Sequence, residues 1–263
     1  MRFVLLALSL TAALPVSAWE QCRAEAPRDA TVELSGATRL RVRARAGSLR
    51  IVGEKGLKQV VVHGRAFASD REMLESIRLR TDRSGDTIRV DAELPERTRS
   101  WSFGDSCAGL DLEIRVPESL LADVDDSSGD AEVSGVAALQ IEDASGGLRI
   151  HDIAGEVRVR DGSGDIEIER VGSVVVDDDG SGGIEIRDVK GSVTIREDGS
   201  GSIGIRGVGG SVSIGETGSG GVRVTDVAGD LRVEGAGRRS SRVSYDGVRG
   251  RVDVPMSRSW RRR

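Results

Sequence analysis

From residue 121 onward the chain alternates apolar and polar side chains in short bursts that recur at a nearly fixed interval. One set of i, i+2 apolar pairs is Leu148/Ile150, Ile166/Ile168, Ile184/Ile186, Ile203/Ile205, Val222/Val224 and Val243/Tyr245. A second set is Leu139/Ile141, Val157/Val159, Val174/Val176, Val193/Ile195, Val212/Ile214, Leu231/Val233 and Val252/Val254. A period of two marks a half-buried strand. Between the pairs sits a lone apolar residue with a glycine close behind, as in Ile153/Gly155, Val171/Gly172 and Val189/Gly191. Each unit therefore reads strand, glycine corner, strand, acidic Gly-Ser-Gly corner.

The repeated serines Ser128, Ser145, Ser163, Ser181, Ser200 and Ser219 stand 17, 18, 18, 19 and 19 residues apart. One such unit places about five apolar side chains inward, each worth roughly 1.5–3 kcal/mol when buried. Ordering its backbone costs about 1–2 kcal/mol per residue, so a unit alone does not stay folded. Stacked units share a core and pair their backbones, which is the logic of repeat architectures. The predicted fold is all-β: a single-chain parallel β-solenoid with 17–19-residue rungs, regular over 121–255. The apolar offsets of 0, 2, 5, 8 and 10 from Ile166 differ from the six-residue spacing of a hexapeptide solenoid. Gly129, Gly146, Gly164, Gly182, Gly201 and Gly220 are the expected structural corner glycines, where tight turns call for positive φ.

Residues 31–120 are β-rich but less regular, with alternation at Leu40/Val42, Leu49/Ile51, Val60/Val62, Ile88/Val90 and Leu110/Leu112/Ile114/Val116. This part is expected to continue the stack or to cap its N-terminal end, with 19–30 leading into it. Ser69 and Glu72 have the spacing of a capping box for a short helix. Residues 1–18 read as a signal peptide: Arg2, an apolar run from Phe3 to Leu14, Pro15, then the small-residue cleavage site Val16-Ser17-Ala18. The run is too short to span a membrane. The expected compartment is the periplasm, with the cell surface or the extracellular space as alternatives. In such a compartment Cys22 and Cys107 are expected to pair, closing a loop worth about 4–5 kcal/mol on the chain-entropy model.

A net charge of −5 argues against a nucleic-acid partner. The one basic cluster, within 256–263, reads as a solvated tail. The most distinctive polar feature is an acidic corner ladder, Asp126, Asp143, Asp161, Asp179 and Asp198, each two residues before a repeated serine. Asp125, Glu142, Asp178, Glu197 and Glu216 form a second column beside it. The expectation is a solvated edge of like charge, with calcium binding as the alternative, since calcium takes six to eight oxygens. No other cofactor is expected. Catalysis has little support: His63 and His151 are the only histidines, and His151 occupies a repeat position expected to be exposed. Acidic pairs recur with the repeat instead of marking one place, and nucleophile-elbow, phosphate-loop and zinc spacings are missing.

The pattern Ser-Gly-Asp/Gly-Ile-x-Ile followed by Val-x-Gly-x-Val-x-Val resembles a bacterial putative-adhesin family of unknown function, over roughly 31–255. Those are exported, glycine-rich β-solenoids related to adhesin-type head domains. The resemblance implies a right-handed solenoid and a non-enzymatic envelope role, with no catalytic residue to carry across. The functional expectation is an exported, non-catalytic binding or structural module of the cell envelope whose partner is an envelope protein or glycan. A polysaccharide-active β-helix enzyme and a calcium-stabilised scaffold are the alternatives.

Overall fold

A computed structural model describes residues 22–95, 107–236 and 242–254. The segment expected to be a signal peptide, residues 1–18, and the basic tail within 256–263 lie outside these residues, as does 96–106. Beyond the short opening strands β1 (Ala24–Pro27) and β2 (Ala30–Glu33), the chain runs through β3 (Arg39–Arg43), β4 (Leu49–Glu54) and β5 (Gln59–Ala68). Helix α1 (Arg71–Ser76), β6 (Arg78–Ser84), β7 (Thr87–Glu93) and β8 (Ala108–Pro117) follow. The repeats then supply β9 (Leu121–Asp126), β10 (Ala131–Ser134), β11 (Ala138–Asp143), β12 (Leu148–His151), β13 (Glu156–Asp161) and β14 (Ile166–Val171). They continue as β15 (Ser173–Asp179), β16 (Ile184–Val189), β17 (Val193–Ser200), β18 (Ile203–Val208), β19 (Val212–Ser219) and β20 (Gly221–Val227). The last are β21 (Leu231–Ala236), β22 (Arg242–Val248) and β23 (Val252–Asp253).

From β9 the chain alternates between two sheets: even-numbered strands join one and odd-numbered strands the other. All pairings within β9–β23 are parallel and match like positions of successive units, for example Ile166↔Ile184↔Ile203↔Val222 and Val174↔Val193↔Val212↔Leu231. The molecule is a β-solenoid of about seven turns. Its core is the shared interior. Ile166, Ile168, Val171, Val174 and Val176, the five apolar positions of one unit, are all at most 1% exposed.

The irregular N-terminal part enters the same two sheets. Strands β3 and β4 pair in parallel with β9 and β10, forming an early rung around Gly47-Ser48-Leu49-Arg50-Ile51. Beyond them pairing turns antiparallel: β5 runs against β8, β1 and β2, and β6 against β7. Helix α1 contacts β5 and β1 at that end. Its N-cap is Asp70, whose Oδ1 accepts from the Met73 amide at 2.8 Å, so the cap sits one residue later than the Ser69/Glu72 spacing suggests. Arg28 donates to the Leu74 and Ile77 carbonyls at 2.9 Å, satisfying the other end. At that end the antiparallel β6, rich in exposed charged residues, forms the edge of one sheet.

Cys22 and Cys107 form a disulfide across 85 residues, with Cα atoms 5.8 Å apart, tying the entry to β1 onto the start of β8. Replacing both by serine is expected to lower stability by about 2–4 kcal/mol. Hydrogen exchange should show β1 and the first half of β8 losing protection first. Identical melting of the oxidised and reduced protein would contradict this.

Candidate functional site

Two corners join the sheets, and each stacks one backbone atom above its copy in the previous rung. At the Ser-Gly corner Gly146, Gly164, Gly182, Gly201 and Gly220 have φ between +137° and +147°, and Gly129 has +124°. The amides of Gly129, Gly146, Gly164, Gly182 and Gly201 bond forward to the next rung's serine carbonyl, as in Gly164 to Ser181 at 2.8 Å. A Cβ on any of these six would lie 1.5–2.0 Å from a glycine carbonyl oxygen of the preceding rung. Both conformation and space therefore demand glycine.

The second corner differs from expectation. The glycines behind the lone apolar residue do not have positive φ; the left-handed residues are Asp152, Arg170, Asp188 and Asp226 at φ 54° to 58°, with Gly207 and Gly247 in equivalent places. Gly172, Gly191 and Gly210 stand there because a Cβ would meet the preceding rung within 2.4–2.9 Å. Charged residues in the left-handed column reach along the surface: Arg170 Nε donates to Asp152 Oδ1 at 2.7 Å and Arg170 also bonds Glu169. The Arg170 guanidinium, and then His151, hold the Asp152 carboxyl well below the usual carboxylate range. His151 lies between Asp152 at 2.8 Å and Glu132 at 3.3 Å with its side chain 29% exposed, half-shielded where an open position was expected.

The acidic ladder is where the structure departs most from the sequence reading. The outer column, Asp125, Glu142, Asp178, Glu197 and Glu216, is exposed. The inner one is not: Asp126, Asp143, Asp161, Asp179 and Asp198 are 2%, 5%, 2%, 0% and 5% exposed. The solvated-edge expectation fails for these five. They continue the inward alternation of their strands, so that Leu139, Ile141 and Asp143 share a face. They pair in register, Asp126↔Asp143↔Asp161↔Asp179↔Asp198, and the column then passes to Thr217 and Ala236. An extra residue at Asp177 shifts the register within β15 and hides the alternation from Asp179 onward. That bulged Asp177 is itself paired, with Arg158 at 2.9 Å and Arg196 at 3.0 Å.

Within the column, donors are scarce. Asp126 Oδ1 accepts from the Ser127 amide at 2.8 Å and Asp143 Oδ1 from the Ser145 amide at 3.2 Å. Oδ2 of Asp126 and Asp143, both oxygens of Asp161 and Asp179, and Oδ1 of Asp198 are buried without a hydrogen-bond partner. The Gly162 and Ser163 amides face Asp161 without completing bonds of normal geometry. Burial, then neighbouring carboxyls, pushes Asp126 and Asp179 up to about 7 and Asp161 to about 6; burial also raises Asp143 and Asp198. Among the described residues, no group of three or more His, Cys, Asp or Glu side chains is placed to hold a metal ion.

No protein-family model and no curated protein matches the chain. Solved structures do. A putative adhesin from Bacteroides fragilis is 14% identical, with 88% of this chain and 97% of that one covered and a TM-score of 0.47. A putative adhesin from Parabacteroides merdae is 13% identical, covering 86% and 95%, at 0.45. A putative lipid binding protein from Parabacteroides distasonis is 11% identical, covering 86% and 96%, at 0.39.

Proposed function

We infer that the chain is an exported, non-catalytic β-solenoid that serves as a binding or structural module of the bacterial cell envelope. The observation that carries this reading is the uniformity of its surface. Outward side chains neutralise one another from rung to rung, as in Arg149–Glu167 at 3.4 Å, Arg160–Glu142 at 3.3 Å and Arg158–Asp177 at 2.9 Å. These pairs lie on repeating positions and converge on no single point, whereas catalysis needs one place where acid, base and substrate meet. An open groove over the left-handed corner, with Asp152, Arg170, Asp188 and Lys190 on its rims, spans several rungs and suits an extended ligand. The disulfide agrees with an oxidising compartment.

The test is sedimentation of the chain from residue 19 onward with isolated cell-wall polysaccharide and with outer-leaflet lipid vesicles. Saturable retention weakened by Arg170→Glu or Lys190→Glu supports the reading. Release of soluble sugar fragments would replace it with the polysaccharide-active alternative.

A further inference from the structure

We propose that the inner aspartate column is a proton-sharing array: Asp161, Asp179 and Asp198 hold protons between their carboxyl groups along the solenoid axis, and external pH thereby sets how firmly the central rungs are held. Asp179 stands in register with Asp161 in one neighbouring rung and with Asp198 in the other, and the three carboxyls are 0%, 2% and 5% exposed in that order. Two carboxylates cannot bond each other, since an ionised carboxylate only accepts; one of each pair must carry a proton. Three carboxyls in a row have two links and so need two protons: one donated across the Asp161–Asp179 link and one across the Asp179–Asp198 link. Both oxygens of Asp161 and of Asp179 are otherwise buried without a donor. A lone buried carboxylate is so unfavourable that it takes up a proton or a cation instead.

Among the described residues, the charged groups acting on the column are all acidic. Asp125 adds like charge beside Asp126, and Asp130 beside Asp143; the other influences come from within the column and from the neutral backbone amides of its corners. Among the described residues, no arginine or lysine forms an ion pair with these five carboxyls. A metal would need several ligands around one point, but this arrangement is a line with one carboxyl per rung. A proton fits between adjacent members. The array also shows what a neutral member looks like: Thr217 continues the column, 6% exposed, and its hydroxyl donates to the Gly235 carbonyl at 2.9 Å.

The direction of the pH effect follows from linkage. These carboxyls titrate higher in the folded state than the unfolded value of 3.8, so between about pH 4 and 7 the folded chain binds more protons. Stability must therefore fall as pH rises through that window, with the loss complete above it. The decisive experiment is urea or thermal unfolding of the chain from residue 19 onward between pH 4.5 and 8.5, for wild type, Asp179→Asn and Asp179→Thr. The wild-type midpoint should fall steadily with pH. Both variants should flatten that slope and raise the midpoint at pH 8. The infrared band of a protonated carboxylic acid should persist at pH 6 in wild type and weaken in Asp161→Asn/Asp179→Asn. A flat wild-type profile, or no such band at pH 6, overturns the proposal. A pH 8 midpoint raised by millimolar calcium and lowered by chelator also overturns it, by showing that the column holds a cation.

Discussion

Gly182→Val is expected to abolish folding of the central rungs, while Gly183→Ala next door should leave the melting curve close to that of wild type. The two glycines are adjacent, yet their surroundings are opposite. At Gly182 φ is +140° and an added Cβ would lie 1.7 Å from the Gly164 carbonyl oxygen, an atom fixed by its place in the stack. Relief would require moving the whole lower rung. At Gly183 the nearest atom is Asp165 Oδ1 at 3.3 Å, the oxygen that accepts from the Gly183 amide at 2.8 Å, and a shift of a few tenths of an ångström would clear it. We expect Gly182→Val to cost about 3–5 kcal/mol and Gly183→Ala under about 1 kcal/mol. Equal melting of the two variants would show that the corner tolerates side chains and that the stacking described above is wrong.

Ile186→Asp should give the second large loss, about 4–5 kcal/mol, from a residue that is 0% exposed and stacked between Ile168 and Ile205. Because each rung is held by its neighbours, the damage spreads. Hydrogen exchange should lose protection together in β14, β16 and β18, while β3 and β7 keep theirs. Confinement of the loss to residue 186 and its immediate sequence neighbours would argue against coupled rungs. The comparison with Asp179 is instructive, since the native chain holds an aspartate there at equally complete burial. Position 186 offers only isoleucines above and below, with nothing to share a proton.

The stacking of the apolar pairs was readable because every inward position repeats with its neighbours, so seven weak strand signals reinforce one another. The N-terminal excursion was not. Val62 pairs with Ile114 and Ala66 with Leu110, contacts that join distant stretches with no repeated motif to connect them. The inner aspartates were misplaced for a different reason. Polarity argues that an aspartate faces water, whereas the period of two in Leu139, Ile141, Asp143 and in Val157, Val159, Asp161 argues that it faces inward; the geometry of the strand prevailed. The bulge at Asp177 concealed the same alternation further along. The left-handed column was legible only in part, since glycine and aspartate alternate there with Arg170, which composition alone would never assign to that conformation.

The glycine-on-glycine corner has a consequence for how such a chain can change over generations. Each unit fits its neighbour through the same atoms, so a unit is interchangeable with the next but not with part of it. Excising residues 164–181 would join Ser163 to Gly182, set Gly182 over Gly146 and Ile184 over Leu148, and leave the columns of this corner in line. Removing nine residues would turn every inward side chain of the following unit onto the wrong column. Unequal recombination between near-identical coding repeats can therefore lengthen or shorten the molecule in whole turns, and its reach along the axis is a heritable copy number.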